Sequence, residues 1–495
     1  MRQLPDLFLA EMRALFGQFG RLGQWPEFLQ ALQEPSTAGL RANRLKITPG
    51  LLRRYLAAQS GFAPEDIEPV AWSADGFRLP AGLQAGKLAG HAAGLYYIQE
   101  PSAMLPAQVL AARPGVKVLD LCAAPGGKSA RIAADLGGEG LLWANEISAE
   151  RVRALQRNLE LTGCTQAVLT SASPEDLARA LPGYFDAVLA DVPCSGSGMM
   201  RRDDHAARSY LSYGPESCSL LQRQILESAW QMLRPGGRLI YSTCSFSLTE
   251  NEAQIARFLA DHPEAAIRAI PKAPGVDDAL PLTSQLTGAA RIWPHRAAGE
   301  GHFCAWLVKA ADCAGPARAL PELPAEQGCA EDWEAFAAFS REVLSPAGHD
   351  RLAAWLENHR RRAENGRLHL VPPCPDFHGL YRLKTGIFLG QVQRKGRSGA
   401  RFLPSQALLL SLSQLELSHV LAAPEGHSLI RQCLRGETLF VPEDQDVSGW
   451  PSGTLAAIAL GTGQGIWPLG WARLTQPPIL KNLYPAGWVR PGQNV

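Results

Sequence analysis

The chain has ten cysteines in 495 residues, but no two are spaced as Cys-x-x-Cys. That absence argues against a zinc ribbon, a thioredoxin-like site and a disulfide framework, and points to reduced thiols. An excess of charge is missing too, with 48 Lys and Arg against 47 Asp and Glu and a net charge of +1. A near-neutral total does not exclude nucleic acid, because binding needs a local basic surface and not a basic sum. The amino end, "MRQLPDLFLAEMRALFGQFG", has no continuous apolar core and alternates polar and apolar residues at helical spacing. It reads as neither signal peptide nor membrane span, so a cytoplasmic protein without membrane contact is expected. His205, His295 and His302 follow no common zinc spacing, and no metal is expected. No internal repeat of 20 to 50 residues is apparent, which leaves solenoids and propellers without support.

What is present is the composition of an ordinary folded chain, 46% apolar and 19% charged, with 47 Gly and 37 Pro marking many turns. The length allows two to four domains. Two basic clusters stand out, "HRRRAENGR" at 359–367 and "QRKGRSGAR" at 393–401, the second glycine-rich and read as a loop. For each, a solvated face and an RNA contact are equally open readings.

From about residue 115, short apolar runs alternate with amphipathic stretches, the pattern of a doubly wound α/β sheet. The runs are "VKVLDLC" (116–122), "GLLWANE" (140–146), "AVLTSAS" (167–173), "FDAVLADVPC" (185–194) and "GRLIYSTC" (237–244). Between the second and third, Val152, Leu155 and Leu159 share a helical face, with Ser148 as N-cap and Gly163 as stop. A later helix is expected to face the core through Leu221, Ile225, Ala229 and Met232 and to end before Pro235, Gly236 and Gly237.

The first strand enters "CAAPGGKS" (122–129), a glycine-bearing turn that opens a helix and lets a nucleoside-type cofactor approach the backbone. It has neither the GxGxxG spacing of dinucleotide binders nor the GxxxxGK[ST] spacing of P-loops. Glu146 ends the next strand, where a carboxylate can take both ribose hydroxyls of an adenosine-containing cofactor. Cys194 and Cys244 sit at two further strand ends. A lone buried cysteine is more often inert packing, but two thiols at the carboxyl ends of neighbouring strands can meet one substrate atom.

The segments "LDLCAAPGGKS", "DVPCSGSGMMRRD", "LRPGGRLIYSTCSFSLTENE" and "RIWPHRAAGEGHF" resemble the successive motifs of the Sun/Nop family of S-adenosylmethionine-dependent RNA cytosine-C5 methyltransferases. Upstream, "RANRLK" (41–46) and "YYIQEPSAMLPAQVL" (96–110) are similar to that family's RNA-facing segments. Residues 435–490 resemble the PUA-like module of bacterial 16S ribosomal RNA methyltransferases of the RsmF type.

The resemblance implies that Cys244 adds to cytosine C6, that Cys194 assists release of methylated RNA, and that Asp191 contacts the cytosine and the cofactor. It implies S-adenosylmethionine contacts from Cys122, Ala123, Ala124, Pro125, Gly126, Gly127, Lys128, Glu146, Arg151, Ser173 and Asp191. At the third strand many relatives carry an aspartate where this chain has Ser173, and Asp176 three residues on is the other candidate. Lys128 reads equally as a positioning group or a solvated lysine.

Four segments are expected: an RNA-facing module at 1–110, a Rossmann-like methyltransferase domain at 111–310, a linker at 311–330, and a β-rich region with the PUA-like module at 331–495. The linker carries the Ala- and Pro-rich "AADCAGPARALPELPAEQG", and "DWEAFAAFSREVL" after it reads as a helix. The expected partner is 16S rRNA or the small ribosomal subunit, bound by a monomer. Transfer RNA remains an alternative substrate, and a non-catalytic ribosome-assembly factor an alternative role. An amino-group methyltransferase is disfavoured, since "DVPC" stands where such enzymes carry Asn/Asp-Pro-Pro-aromatic.

Overall fold

The structure, a computed structural model, describes residues 4–313, 320–323, 326–327, 329–376, 379–394 and 400–489. The apolar runs form a Rossmann-like α/β sheet whose central strands are β1 (Lys117–Asp120), β2 (Leu141–Asn145), β3 (Ala167–Thr170), β4 (Phe185–Asp191), β5 (Leu233–Thr243) and β6 (His302–Lys309). They lie in the order β3-β2-β1-β4-β5-β6. The first five are parallel, and β6 runs antiparallel to β5. Helices cover both faces, so the strands read as apolar runs and not as alternation: Leu142, Trp143, Val188, Leu189 and Ile240 are all fully buried. Strand order reverses between β1 and β4, and ligands of such sheets bind outside the carboxyl ends at that point.

The helices are α1 (Gly127–Leu136), α2 (Arg151–Thr162), α3 (Pro174–Ala180), α4 (Asp204–Met232) and α5 (Glu252–Asp261). α2 buries Val152, Leu155 and Leu159 and ends at Gly163, whose φ of 80° suits glycine. The residue at its N-cap is Glu150, without a side-chain cap bond, and the expected cap Ser148 lies two residues earlier, its Oγ accepting from Arg151 N at 3.3 Å and its carbonyl from Val152 N at 3.0 Å. α4 is kinked at Gly214 (φ 63°, ψ 162°), just before Pro215. Its core face differs from the expected one, because Leu221 is 45% exposed while Ile225, Ala229 and Met232 are buried. The helix instead turns Gln222 inward, where hydrogen bonds to Pro193 O (3.0 Å) and the Glu250 carboxylate (2.9 Å) replace apolar packing.

The amino-terminal residues build a four-stranded antiparallel sheet in the order Glu68–Pro69, Gly76–Arg78, Gly39–Ala42, Tyr96–Ile98. Two five-stranded sheets lie at the carboxyl-terminal end, one over 326–404 and one over 420–482. The second shares a single apolar core with the amino-terminal sheet, uniting Leu40, Leu52 and Tyr55 with Leu421, Leu429 and Leu469. Strand Arg382–Thr385 also crosses the segment boundaries read from the sequence, because it pairs antiparallel with β3 and extends the Rossmann-like sheet.

Of the basic clusters, residues 360–364 pair with 367–371 as a hairpin, and 395–399 lie outside the described residues, as do 314–319, 324, 325 and 328 of the expected linker. Arg360 pairs with Glu322, Arg362 with Glu364 (3.3 Å) and Arg394 with Asp332 (2.6 Å), which neutralises part of that basic surface. Among the described residues, no helix is long and apolar enough to cross a membrane.

Candidate active site

β4 and β5 are hydrogen-bonded neighbours that end together, with Asp191 opposite Ser242. The loops leaving them carry the two cysteines, whose Sγ atoms lie 3.1 Å apart. Close approach of the loops requires glycine at 198: its N–H donates to Cys244 O at 2.9 Å, and a Cβ there would come within 2.7 Å of both Cys244 O and Gly301 O. The thiols are not equivalent. The hydrogen bond to Cys244, burial and the neighbouring Cys244 and Glu250 charges raise the Cys194 pKa well above that of an ordinary thiol, so Cys194 stays protonated at neutral pH.

Asp191 is held from three sides. Its Oδ2 accepts from Lys128 Nζ at 2.6 Å, its Oδ1 accepts from Ser242 Oγ at 2.7 Å, and His302 Nε2 lies 3.8 Å from Oδ1. Burial alone would raise its pKa, but Lys128, His302 and the hydrogen bonds outweigh that and lower it, leaving an ionised carboxylate. Lys128 is opposed by burial in the same way and is held above the ordinary lysine value by Asp191. At 12% side-chain exposure it is an ion-paired group and not a solvated lysine. His302 is 3% exposed with neither ring nitrogen hydrogen-bonded among the described residues. Burial, with Lys128 nearby, lowers its pKa to about 3, so the ring is neutral. His205 is exposed and His295 contacts Gln24 Oε1 at 3.3 Å.

The 122–128 loop joins β1 to α1. Ala123 N donates to Asn145 O (2.8 Å), Arg151 Nη2 to Ala124 O (2.7 Å) and Asn158 Nδ2 to Pro125 O (2.7 Å). Gly126, at φ 112°, turns the chain into the helix that begins at Gly127, whose carbonyl accepts from the buried Arg41. Burial raises the Cys122 pKa, so this half-buried thiol stays neutral. At the end of β2, Glu146 is 3% exposed, accepts from Ser148 N at 3.0 Å and lies 3.3 Å from Arg151 Nη1. Ser173 is occupied elsewhere. It is the N-cap of α3, accepting from Asp176 N at 3.1 Å and donating to Asp176 Oδ2 at 2.7 Å, so the two candidates for the third-strand contact bind each other.

Asp120 was missed by sequence reading. It is buried at the end of β1, with Oδ2 accepting from Ser129 Oγ at 2.6 Å and Oδ1 without a hydrogen-bond partner among the described residues. Desolvation raises its pKa to about 7. An acidic residue inside "VLDLC" is visible in the sequence, but its burial is not.

Residues 107–308 match the family described as 16S rRNA methyltransferase RsmB/F, and residues 4–101 match the N-terminal domain of 16S rRNA methyltransferase RsmF. The ribosomal RNA small subunit methyltransferase F of Klebsiella pneumoniae is 30% identical, over 99% of this chain and 97% of its own length. The protein of the same name from Escherichia fergusonii is 34% identical over 79% of this chain and 81% of its own length. Among solved structures, a methyltransferase homolog from Pyrococcus horikoshii aligns with TM-score 0.52 and 28% identity, covering 62% of this chain and all of that one. NSun6 from Pyrococcus horikoshii, crystallised with SFG, shares the fold at TM-score 0.52 and 20% identity, covering 62% of this chain and 99% of its own.

Proposed function

The chain belongs to the 16S rRNA methyltransferase RsmB/F family, and on that premise we propose that it moves a methyl group from S-adenosylmethionine to C5 of a cytosine in 16S ribosomal RNA through a covalent bond between Cys244 and C6. The observation that carries this reading is the pair of thiols in contact beside an ionised Asp–Lys pair. Cofactor dependence goes with the family. The residues present suit the group: the loop at 122–128 opens helix α1 at the switch point, Glu146 stands at the end of β2, and the buried Asp120 Oδ1 has no hydrogen-bond partner among the described residues. Glu146 would hold the ribose hydroxyls, and the loop the rest of the molecule. When bound, S-adenosylmethionine supplies an electrophilic methyl carbon.

Cytosine C5 is a poor nucleophile, and addition of a thiolate to C6 turns the ring into an enamine whose C5 can attack. Cys244 makes that bond. The Asp191 carboxylate, being ionised, accepts a hydrogen bond from the cytosine amino group. It has no proton to give to N3, so the negative charge that develops on the ring falls to Lys128, the cation 2.6 Å from Asp191. After methylation a water molecule takes the C5 proton, its C–H electron pair forms the C5–C6 double bond, and the C6–S bond breaks. Cys194, a protonated thiol beside Cys244 Sγ, donates to that sulfur as it departs and so assists release. Residues 435–490 are assigned to a PUA-like RNA-binding unit on their sequence resemblance, and the site of action to the cytoplasm.

Bisulfite sequencing of 16S rRNA and transfer RNA from a strain lacking this protein tests the reading. Loss of a 5-methylcytosine from 16S rRNA is the expected result. Loss from transfer RNA alone would redirect the substrate, and unchanged maps of both would reject the reaction.

A further inference from the structure

Each cysteine is followed directly by a serine, and the two hydroxyls meet on one carboxylate. Glu250 Oε2 accepts from Ser195 Oγ at 2.5 Å and from Ser245 Oγ, while Oε1 accepts from Ser195 N at 2.8 Å and from Gln222 Nε2 at 2.9 Å. The two serine oxygens lie 3.2 Å apart, and Ser197 Oγ lies 3.1 Å from Ser245 Oγ. Ser195, Ser197, Ser245 and Glu250 are all fully buried. A carboxylate sealed from water is costly unless its lone pairs are satisfied, and here four donors from three separate segments converge on it. Burial raises the Glu250 pKa against the hydrogen bonds that favour its anion.

We propose that Glu250 is a positioning residue that sets the separation of the two thiols, acting on Cys194 through Ser195 and on Cys244 through Ser245. It touches neither RNA nor cofactor from its buried place behind the loops. Its hold is unequal. Of its four donors, two come from Ser195 and a third, Gln222, also grips Pro193 O at 3.0 Å, so the Cys194 loop depends on it most. The Cys244 loop has other anchors, Ser245 N on Thr243 Oγ1 at 3.2 Å and Asn251 Nδ2 on Ser245 O at 2.8 Å. Loss of the carboxylate therefore loosens Cys194 while Cys244 stays placed. The consequence is a defect in release and not in attack. This inference rests on the assignment of Cys244 to attack and Cys194 to release.

The test uses the full chain, S-adenosylmethionine and 16S rRNA purified from a strain lacking the protein. It follows two rates, formation of a denaturation-resistant protein–RNA adduct and multiple turnover. Glu250→Gln replaces one acceptor oxygen by a donor amide. Adduct should form at close to the wild-type rate, while turnover falls about ten- to a hundredfold, the scale of cost for misplacing a reacting group by up to 1 Å, and adduct accumulates. Glu250→Asp should recover part of the turnover. Ser195→Ala should repeat the release defect in milder form, and it serves where Glu250→Gln fails to fold; Ser245→Ala should leave adduct formation close to the wild-type rate, because the other anchors of the Cys244 loop remain, and a slowed attack there would contradict the unequal hold. Unchanged turnover, or attack and release falling together in Glu250→Gln and Ser195→Ala, overturns the positioning role alone. Adduct formation by Cys244→Ala overturns the assignment beneath it.

Discussion

Cys194 Sγ and Cys244 Sγ lie 3.1 Å apart at the ends of two parallel, hydrogen-bonded strands, and the Cys194 pKa is raised well above that of an ordinary thiol. Adjacent strands fix the scale of the separation, because their backbones run about 4.8 Å apart. Two identical side chains so close cannot both ionise readily, since a like charge next door disfavours the second. The site thus keeps Cys194 protonated, which suits a group that donates to a departing sulfur.

Substitution of each thiol separates the two roles. Cys244→Ala should abolish methylation and form no adduct, because no sulfur reaches C6. Cys194→Ala should keep attack and methyl transfer but stall at release, so a protein–RNA species resistant to denaturing electrophoresis accumulates when S-adenosylmethionine is present. Reversed phenotypes would make Cys194 the nucleophile, and full activity in both variants would remove covalent thiol catalysis from the reaction.

The Lys128–Asp191 pair makes a prediction in pH. Lys128 lowers the Asp191 pKa below the ordinary aspartate value, so in the wild type Asp191 loses its charge only under strongly acidic conditions. Lys128→Met removes that stabilisation and raises the carboxyl pKa. The acid limb of the single-turnover rate should then move to higher pH, along with a drop in the plateau from the lost cation. An acid limb that stays in place would show that Asp191 does not need to be ionised for the measured step.

Much of this site was legible because its positions follow local rules. Apolar runs marked the strands, and the ends of those strands place the 122–128 loop, Glu146, Cys194 and Cys244 on one edge of the sheet. What was not legible depends on partners distant in sequence. Lys128 meets Asp191 across 63 residues, His302 reaches Asp191 from an antiparallel strand that no crossover pattern announces, and Glu250 gathers serines from two loops. Leu221 misled because apolar periodicity near a polar site competes with buried hydrogen bonding, and Gln222 won the inner face. The shared core of the amino- and carboxyl-terminal sheets has no local signature at all.

Glu146→Ala should weaken S-adenosylmethionine binding by about 1.5 to 3 kcal/mol, the value of hydrogen bonds to a charged group. The fold should persist, because the carboxylate's contacts, Ser148 N and Arg151, sit at the solvent-facing start of α2. Calorimetric titration decides it, with circular dichroism as control. Unchanged affinity would remove Glu146 from the cofactor site.

Asp120 ties stability to pH. Its folded pKa of about 7 stands above the ordinary 3.8, so the folded chain retains a proton that the unfolded chain has released across that interval. The favourable contribution is complete below about pH 4 and is lost as pH rises through 7, by at most on the order of 4 kcal/mol. Asp120→Asn does not titrate. Its melting temperature relative to wild type should therefore improve from pH 5 to pH 8, and a difference independent of pH would contradict the raised pKa.

The junction between the amino- and carboxyl-terminal sheets turns on Glu425. Its Oε2 accepts from Tyr55 Oη at 2.6 Å and its Oε1 from Ala89 N at 2.6 Å, while nearby Trp467 Nε1 donates to Lys46 O at 3.1 Å. Glu425→Ala leaves two partly buried donors without an acceptor, a cost of about 1 to 3 kcal/mol. Tyr55→Phe removes one of those donors and leaves the apolar ring in the shared core. In the double variant the Ala89 N–H and the Gly90 N–H, which donates to Tyr55 Oη at 3.0 Å, are stranded, but the Tyr55–Glu425 bond is lost only once, so the loss should be smaller than the sum of the two single losses, as expected for residues in direct contact. Denaturant unfolding of the four proteins measures the cycle. Strict additivity would mean that the tyrosine and the glutamate act independently, and that their hydrogen bond does not couple the two sheets.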